Sequence, residues 1–284
     1  KSTYFDTWDI SISEQNKRII DNIKDIKVKA AGPYFHSIEI KRDFYNSSIR
    51  QEIILYENKR KIDFKTEVNW QENQKLLKTA FPINIKNSQA LFDLSMGHIE
   101  RANYKNTSWE KAKTEVPAHK WVNLNNKDIS VSLLNDCKYG HEINENFINL
   151  TLLKSGIFPD PQADIGKHEF IYSLLITPDS LDLVNLEREA LAMNNKPIYC
   201  NVSNNSKEDN KIKKLFDIKN DHVLLDSYKI SENKDGFILR VHEFKGISNQ
   251  LEINFLNEIK EVYETNLLEK NVEEISIENN NLTV

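Results

Sequence analysis

Hydrophobic residues recur at every second position along much of this chain. The clearest case runs from Lys61 to Trp70, where Ile62 and Val68 share one face and charged residues such as Asp63 share the other. An alternation of period two is typical of an antiparallel strand with one buried face. Similar segments, separated by Asn-rich turns, cover 36–41, 51–56, 91–96, 129–134, 147–153 and 169–175. Strands at this spacing predict an all-β protein with a large antiparallel sandwich.

A polar, charged stretch separates this sandwich from a smaller predicted β domain. We assign residues 1–30 to a lead-in segment, 31–200 to the large sandwich, 201–214 to a linker and 215–284 to the small domain. In the small domain, 223–230 and 237–244 flank a polar turn and predict a hairpin. One helix is predicted over 180–193, with Ser180 as its N-cap.

Composition narrows the possible functions. The chain has 284 residues and a formal net charge of −5, and it contains no basic block, so no nucleic-acid partner is expected. No apolar run reaches the length of a membrane span. The two cysteines, Cys137 and Cys200, form no disulfide framework, which favours a reducing compartment and a cytoplasmic location.

No catalytic or metal-binding motif stands out. The histidines are isolated in sequence, so we predict no metal site within this chain. Asp6 and Asp9 are candidates for a glycosidase carboxylate pair or, equally, for loop caps, because short spacing in a loop does not fix the separation of two carboxylates. Segments 66–70, 133–140 and 160–169 are rich in polar and aromatic residues. The second and third suit sugar hydroxyls, although composition alone favours turns whose side chains satisfy backbone groups.

A series of ordered motifs resembles glycoside hydrolase family 38, in particular its cytosolic and bacterial or archaeal α-mannosidases. The resemblance covers residues 4 to about 195 well and weakens in the tail. One departure is Thr177-Pro178, where the family usually has a Pro-His pair. The matching segments are 5–10, 66–72, 77–82, 97–101, 107–110, 118–122, 133–140, 150–153, 163–170 and 239–243.

The resemblance implies a large mutarotase-like supersandwich followed by a small β-sandwich domain. The full enzyme would be a retaining exo-α-mannosidase that removes terminal mannose from oligosaccharides. Its Asp nucleophile and its divalent metal, usually zinc, would belong to an N-terminal catalytic domain of the same polypeptide. No segment here matches those motifs, so no catalytic or metal residue is assigned and the chain alone should be inactive. A homo-oligomer is compatible with this assignment.

We predict that the functional surface is the turn that contains Asn135, Asp136, Lys138 and Tyr139, with Asp164 and His168 nearby. A strand end needs no ammonium and phenol at successive positions, so these side chains would face the catalytic domain or its mannose. Alternatively, Asp136 and Lys138 pair with each other or cap local backbone. Cys137, inside the same motif, is expected to be a small buried residue.

The alternative function is a free-standing carbohydrate-binding or mutarotase-like sandwich. It would require a histidine and a carboxylate to meet on one sheet face, and His168 and Glu67 are the nearest candidates. The chain lacks a starting methionine and stops within an apparent strand, which leads us to expect part of a larger protein instead.

Overall fold

Antiparallel strands make up nearly all the regular structure of the computed structural model, which describes residues 7, 10, 17–144, 146–201 and 214–284. The chain divides into two compact units, Lys1–Lys196 and Pro197–Val284. The all-β prediction is confirmed. Asp6, Asp9 and residues 202–213 of the predicted linker lie outside the described residues.

The first unit is built from two sheets. Its strands are β1 Ile23–Ala31, β2 Phe35–Phe44, β3 Ser47–Tyr56, β4 Lys61–Trp70, β5 Lys75–Pro82, β6 Gln89–Leu94, β7 Gly97–Ala102, β8 Val116–Pro117, β9 Trp121–Asn125, β10 Ile129–Asn135, β11 Gly140–Asn144, β12 Phe147–Ser155 and β13 Gly166–Pro178. The nine-stranded sheet has the order β1-β2-β3-β4-β13-β10-β9-β6-β7, and the four-stranded sheet has the order β5-β12-β11-β8. All of their strand pairs are antiparallel.

One hydrophobic core lies between the two sheets. In β4, the predicted alternation is confirmed, since Thr66, Val68 and Trp70 are buried in the core. In β12, Ile148 and Leu150 are fully buried in the same cluster. Each such side chain contributes roughly 1.5–3 kcal/mol when it leaves water. The core therefore joins the sheets into the predicted sandwich, and the segment 66–70 is a core strand.

Two helices occur among the described residues of this unit, α1 Ser108–Ala112 and α2 Leu183–Asn194. The predicted start of the second helix at Ser180 is wrong. Asp182 is its N-cap, because the Asp182 carboxylate accepts a hydrogen bond from the Asn185 backbone N–H at 3.0 Å. Leu186 and Ala190 of α2 pack with Trp121, Leu134 and Leu175 on the outer face of the large sheet.

The second unit contains smaller sheets. Its strands are β14 Phe216–Ile218, β15 Val223–Ile230, β16 Phe237–Glu243, β17 Glu252–Phe255, β18 Val262–Thr265, β19 Asn271–Ile275, β20 Ile277–Glu278 and β21 Asn281–Thr283. β15 and β16 form the predicted hairpin, and the Ser231 N–H donates to the Gly236 carbonyl at 3.0 Å within its turn. A four-stranded sheet has the order β14-β17-β21-β20, and β18 pairs with β19.

Some strands had no clear period-two signal. In β9, the residues from Trp121 to Leu124 are all buried, because side chains cover both faces of this interior strand. Asn123 is accommodated there by donating to the hydroxyls of Ser130 and Ser132 at 2.7 and 2.8 Å. Burial on both faces removes the alternation on which the prediction depends.

Candidate functional site at the turn 135–139

Asn135 ends β10 and holds the turn in place from inside. Its side-chain amide donates to the His119 carbonyl at 2.8 Å, and its side-chain oxygen accepts from the Lys138 N–H at 2.7 Å. Its own backbone N–H donates to the Lys120 carbonyl at 3.0 Å, and its carbonyl accepts from Asn194 at 3.1 Å. Asn135 is 1% exposed. It is therefore a buried support for the turn, out of reach of a ligand on the surface.

Asp136 and Cys137 follow at the outside of the turn. The Asp136 N–H donates to the Ile171 carbonyl at 3.2 Å, which fixes the turn against β13. Cys137 is exposed, so the prediction of a small buried residue is wrong: the turn projects beyond the strands that could have covered it. Partial burial of the thiol, with Asp136 beside it, raises the pKa of Cys137 to about 11. The thiol is therefore protonated at neutral pH.

Lys138 lies against an aromatic ring. Its Nζ atom is 4.6 Å from the ring centroid of Phe170, a buried residue of β13. Within the described residues, no ion pair joins Lys138 to Asp136. A cation–π contact of this kind contributes roughly 0.5–1 kcal/mol at a partly exposed site. The contact holds the ammonium at a defined place along β13.

Tyr139 is the aromatic residue of the turn. It is 55% exposed, and its ring meets the His119 ring edge-on with centroids 5.9 Å apart. The Tyr139 carbonyl accepts from the Ala118 N–H at 3.1 Å. Because its backbone is hydrogen-bonded and more than half of the residue is exposed, Tyr139 presents ring surface and a hydroxyl to the solvent.

Asp164 and His168 lie at the beginning of β13. His168 Nε2 donates to the Asp164 carbonyl oxygen at 2.8 Å. Asp164 has a positive φ of 63°, and Gly166 follows at 138°, so the chain turns sharply into the strand here. The Asp164 side chain is exposed and His168 is partly buried.

The turn and the loop that carries Asp164 border the same strand. Lys138 contacts Phe170, and His168 lies two residues earlier on the same face of β13. Two residues of a strand span roughly 7 Å. The structure thus aligns Lys138 and His168 along one strand, while Asn135 lies beneath the surface and Tyr139 lies on the other flank of the turn, next to His119.

His141 lies fully buried beneath the turn, and its position was not apparent from the sequence. Its Nε2 atom is 3.4 Å from the side-chain nitrogen of Asn135, which donates, so this ring nitrogen accepts. Its Nδ1 atom has no hydrogen-bond partner in the part of the chain that the structure describes. Burial lowers the pKa of His141 to about 4. The ring is therefore neutral at physiological pH.

A buried ion-pair network surrounds Lys120, whose backbone carbonyl accepts the hydrogen bond from the Asn135 N–H. Lys120 Nζ lies 3.1 Å from Asp93 Oδ1 and 2.7 Å from Glu187 Oε1, and Trp121 Nε1 donates to Glu187 at 2.7 Å. Burial raises the pKa of Asp93, even with Lys120 beside it. Burial would lower the pKa of Lys120, but its two carboxylate partners raise it overall. The network ties α2, through Glu187, to the large sheet.

The described residues contain neither a cluster of metal ligands nor a helix that could span a membrane. No three His, Cys, Asp or Glu side chains within that part of the chain are grouped so that they could hold one metal ion. In the same residues, no helix is long and apolar enough to cross a membrane.

Two known family models match this chain. The model for the glycosyl hydrolases family 38 C-terminal domain matches residues 1–162, which is more than half of the chain. The chain belongs to glycosyl hydrolase family 38. A second family 38 model, the C-terminal beta sandwich domain, matches residues 222–284. The resemblance found in the sequence motifs is confirmed, and the chain corresponds to the C-terminal region of a family 38 enzyme.

The relatives of this family 38 chain are much longer than it is. Alpha-mannosidase G of Dictyostelium discoideum is 32% identical over 278 residues, which cover 94% of this chain and 25% of the relative. Alpha-mannosidase 2C1 of Mus musculus is 37% identical over 175 residues, which cover 61% of this chain and 17% of the relative. The chain therefore spans a quarter or less of these relatives.

Solved family 38 structures have the same fold. An alpha-mannosidase from Enterococcus faecalis V583 superimposes with a TM-score of 0.75 and 16% sequence identity. The superposition covers 89% of this chain and 33% of that chain. At this level of identity, the likeness supports the architecture of the sheets alone.

Proposed function

We propose that this chain is the accessory β region of a retaining, metal-dependent exo-α-mannosidase that removes terminal α-mannose from oligosaccharides. The observation that carries the proposal is the match to two C-terminal family 38 models, together with relatives about four times longer that are named alpha-mannosidases. The nucleophile and the divalent metal, zinc, would lie in the N-terminal part of the polypeptide. The residues described here offer no fitting set of ligands, and we assign them no chemical step.

The thiols support a cytoplasmic location for this enzyme. Cys137 and Cys200 are both exposed and unpaired with each other. Exposed free thiols are compatible with a reducing compartment and are rare in oxidising ones. We therefore place the proposed mannosidase in the cytoplasm.

A free-standing sandwich enzyme is disfavoured by the geometry of its candidate residues. In the pairing of β4 with β13, Val68 is opposite His168 and Glu169 is opposite Glu67. Neighbouring positions on a strand point to opposite faces of the sheet, so His168 and Glu67 lie on opposite faces. Glu67 also accepts a hydrogen bond from Arg50. The two side chains cannot act on one sugar.

Within the proposed enzyme, we assign the turn 135–139 to the wall of the mannose cleft or to the contact with the catalytic domain. The support is the exposed Tyr139 ring and the Lys138 ammonium, which lies over Phe170 and is not neutralised by Asp136. Ammonium hydrogens donate to sugar hydroxyls or carboxylates, and a phenol ring packs on the apolar face of a sugar.

The first test measures hydrolysis of an aryl α-mannoside. We expect turnover by the full-length polypeptide, with loss of activity after chelation and recovery on addition of zinc or cobalt. We expect none from the 284-residue chain alone under the same conditions, because its described residues supply neither nucleophile motif nor metal ligands. Metal-dependent turnover by the purified chain would contradict the assignment.

The second test addresses the turn in the full-length enzyme. Lys138→Ala and Tyr139→Phe should each lower kcat/KM by about tenfold, the loss expected when one charged or polar contact to the substrate disappears. Lys127 is an exposed lysine in the turn between β9 and β10. Its substitution, Lys127→Ala, is the control and should leave kcat/KM unchanged. A fall in thermal stability without a kinetic change would assign the turn to a domain contact. If neither changes, the turn has neither role.

A further inference from the structure

The nine-stranded sheet is wider than the four-stranded sheet that packs on it. The hydrophobic core takes buried residues from β3, such as Ile49, and from β4, such as Val68. Among the described residues, it takes no buried member from β1 or β2. Apart from the end of β2, where Phe44 packs against the core, these two strands and the far end of β3 therefore form a margin that extends beyond the sandwich.

On this margin, apolar residues occupy the same sheet face that packs against the core in the neighbouring strand β4. Ile26 is opposite Ile40, and Val28 is opposite Ile38. Leu55 lies on the same face, opposite Ile62 of β4. Val28 is 70% exposed, Ile26 56% and Leu55 48%. Apart from Ile40, which is 8% exposed, these apolar side chains are left in contact with water, although residues of the same type form the core in the neighbouring strands.

A groove extends the apolar face across the end of the sheet. It has a volume of about 300 Å³ and is lined by Leu55, Ile62 and Ile176, together with the stems of lysine and arginine residues 59–61. Ile176 lies on the core face of β13, opposite Val131, and is 37% exposed. These exposed apolar residues from β1 to β13 therefore lie on one face of the nine-stranded sheet.

The other face of the same strands carries charged and polar side chains, among them Glu39, which is 3% exposed beneath its lysine and arginine partners. Lys27 Nζ lies 3.0 Å from Glu39, and Arg50 is 3.7 Å from the same carboxylate. Beside them, the Ser37 hydroxyl donates to Glu52 at 2.6 Å. A sheet with one charged face and one apolar face is typical of a layer that is covered on the apolar side. Contiguous exposed apolar surface of this kind marks an interaction site.

We propose that this apolar margin, formed by Ile26, Val28, Ile38, Leu55 and Ile176, is covered by the part of the same polypeptide that precedes Lys1. The inference rests on the proposed function, in which the chain is the C-terminal region of a longer enzyme. Both matching family models are C-terminal ones, and the relatives are about four times longer, so the additional chain lies mainly upstream.

The connection to the upstream chain favours this occupant over others. The upstream part would join at Lys1, and β1 begins at Ile23. A tether of this length spans at most roughly 75 Å and keeps the two parts at a high effective concentration. A second copy of the protein would have to reach the same face without a tether.

A photo-reactive residue in the full-length protein tests the proposal directly. Benzoylphenylalanine replaces Val28 in one variant and Lys27 in the control, which lies on the same strand but on the charged face. Mass spectrometry then identifies the cross-linked peptides. We expect position 28 to link to sequence upstream of Lys1 and position 27 to give no such product. Links from position 28 to a second copy, to residues 1–22 or to residues 197–284 would overturn the proposal, as would equal results at both positions.

A substitution provides an independent measurement. In the full-length protein, Val28→Gln should unfold roughly tenfold faster at a fixed temperature, because an amide replaces an apolar contact in a covered face. Asp25→Gln introduces the same residue on the charged face of the same strand, at an exposed position, and should not change the rate. Equal rates for both variants, or an effect that varies with protein concentration, would contradict the upstream cover. Neither measurement depends on turnover, so an inactive full-length protein with the expected cross-link would refute only the mannosidase assignment.

Discussion

The two units bury their apolar side chains to very different extents. In the first unit, Trp121, Leu133 and Ile148 are at most 1% exposed and belong to clusters that join sheets and helix. In the described residues of the second unit, the buried hydrophobic side chains are Phe244, Ile253 and Leu282. The first unit therefore has a deep core of its own, whereas the second depends on few buried contacts and on its strand pairing.

The ion pairs of the two units also differ in how far they are buried. In the first unit, Lys120 is paired with two carboxylates that are almost fully shielded from water. In the second, Lys219 lies 2.8 Å from Asp217 in a pair whose side chains are 52% and 40% exposed. Similar distances thus occur in very different surroundings. Because water screens exposed charges, burial decides how much each ion pair matters.

The largest expected effect is a core truncation in the first unit. Leu133→Ala should lower the free energy of unfolding by about 3–5 kcal/mol, since Leu133 is fully buried and its removal leaves a cavity. Leu268→Ala in the second unit, where the side chain is 75% exposed, is the matched control and should change stability by less than about 0.5 kcal/mol. Urea unfolding measures both. Equal losses would remove the contrast between the units.

The next effect concerns the buried charges. Lys120→Met should cost about 3 kcal/mol, because Asp93 and Glu187 would remain buried without their cation. Acid should reduce this loss, since protonation removes the repulsion between the carboxylates. Lys219→Met, in the exposed pair, should leave the unfolding midpoint nearly unchanged. A loss for Lys120→Met that is small at neutral pH would show that the site is more hydrated than its burial indicates.

The third effect is confined to acid, where His141 makes the stability of the first unit depend on pH. Its folded pKa of about 4 lies below the ordinary value of 6.5, so the unfolded chain binds the extra proton first. The stability due to the neutral ring is complete above pH 6.5 and is lost as the pH falls to 4, by about 3 kcal/mol in total. His141→Gln should lack this contribution. Parallel pH profiles for both proteins, measured by urea unfolding, would refute it.

Sequence periodicity predicted the strands that have one exposed face and one buried face. The strand Lys61–Trp70 has the predicted bounds, and the hairpin at 223–230 is also confirmed. The prediction missed β1, which is exposed on both faces, and β9, which is buried on both. In each case, the alternation of exposure is absent. Neighbouring layers, which are distant in sequence, determine exposure in such strands.

For the candidate site, the sequence predicted the types of side chain but not the contacts that they make. The motif at 135–139 identified a turn with a lysine and a tyrosine, but its contacts come from elsewhere in the chain. Lys138 lies over Phe170, and Asn135 is held by His119 and Asn194. The burial of His141 also follows from the packing of two sheets. No local pattern carries such information.

The uncovered face of β1 to β3 has a consequence for biosynthesis. A ribosome makes the upstream part of a longer enzyme first, at about 5–20 residues per second, and domains generally fold as they emerge. By the time Val28 leaves the exit tunnel, its proposed cover would already be folded nearby. The exposed valine and isoleucine side chains would then meet a partner before they meet another nascent chain. The same segment expressed alone would have no such protection, and its edge strand would favour aggregation.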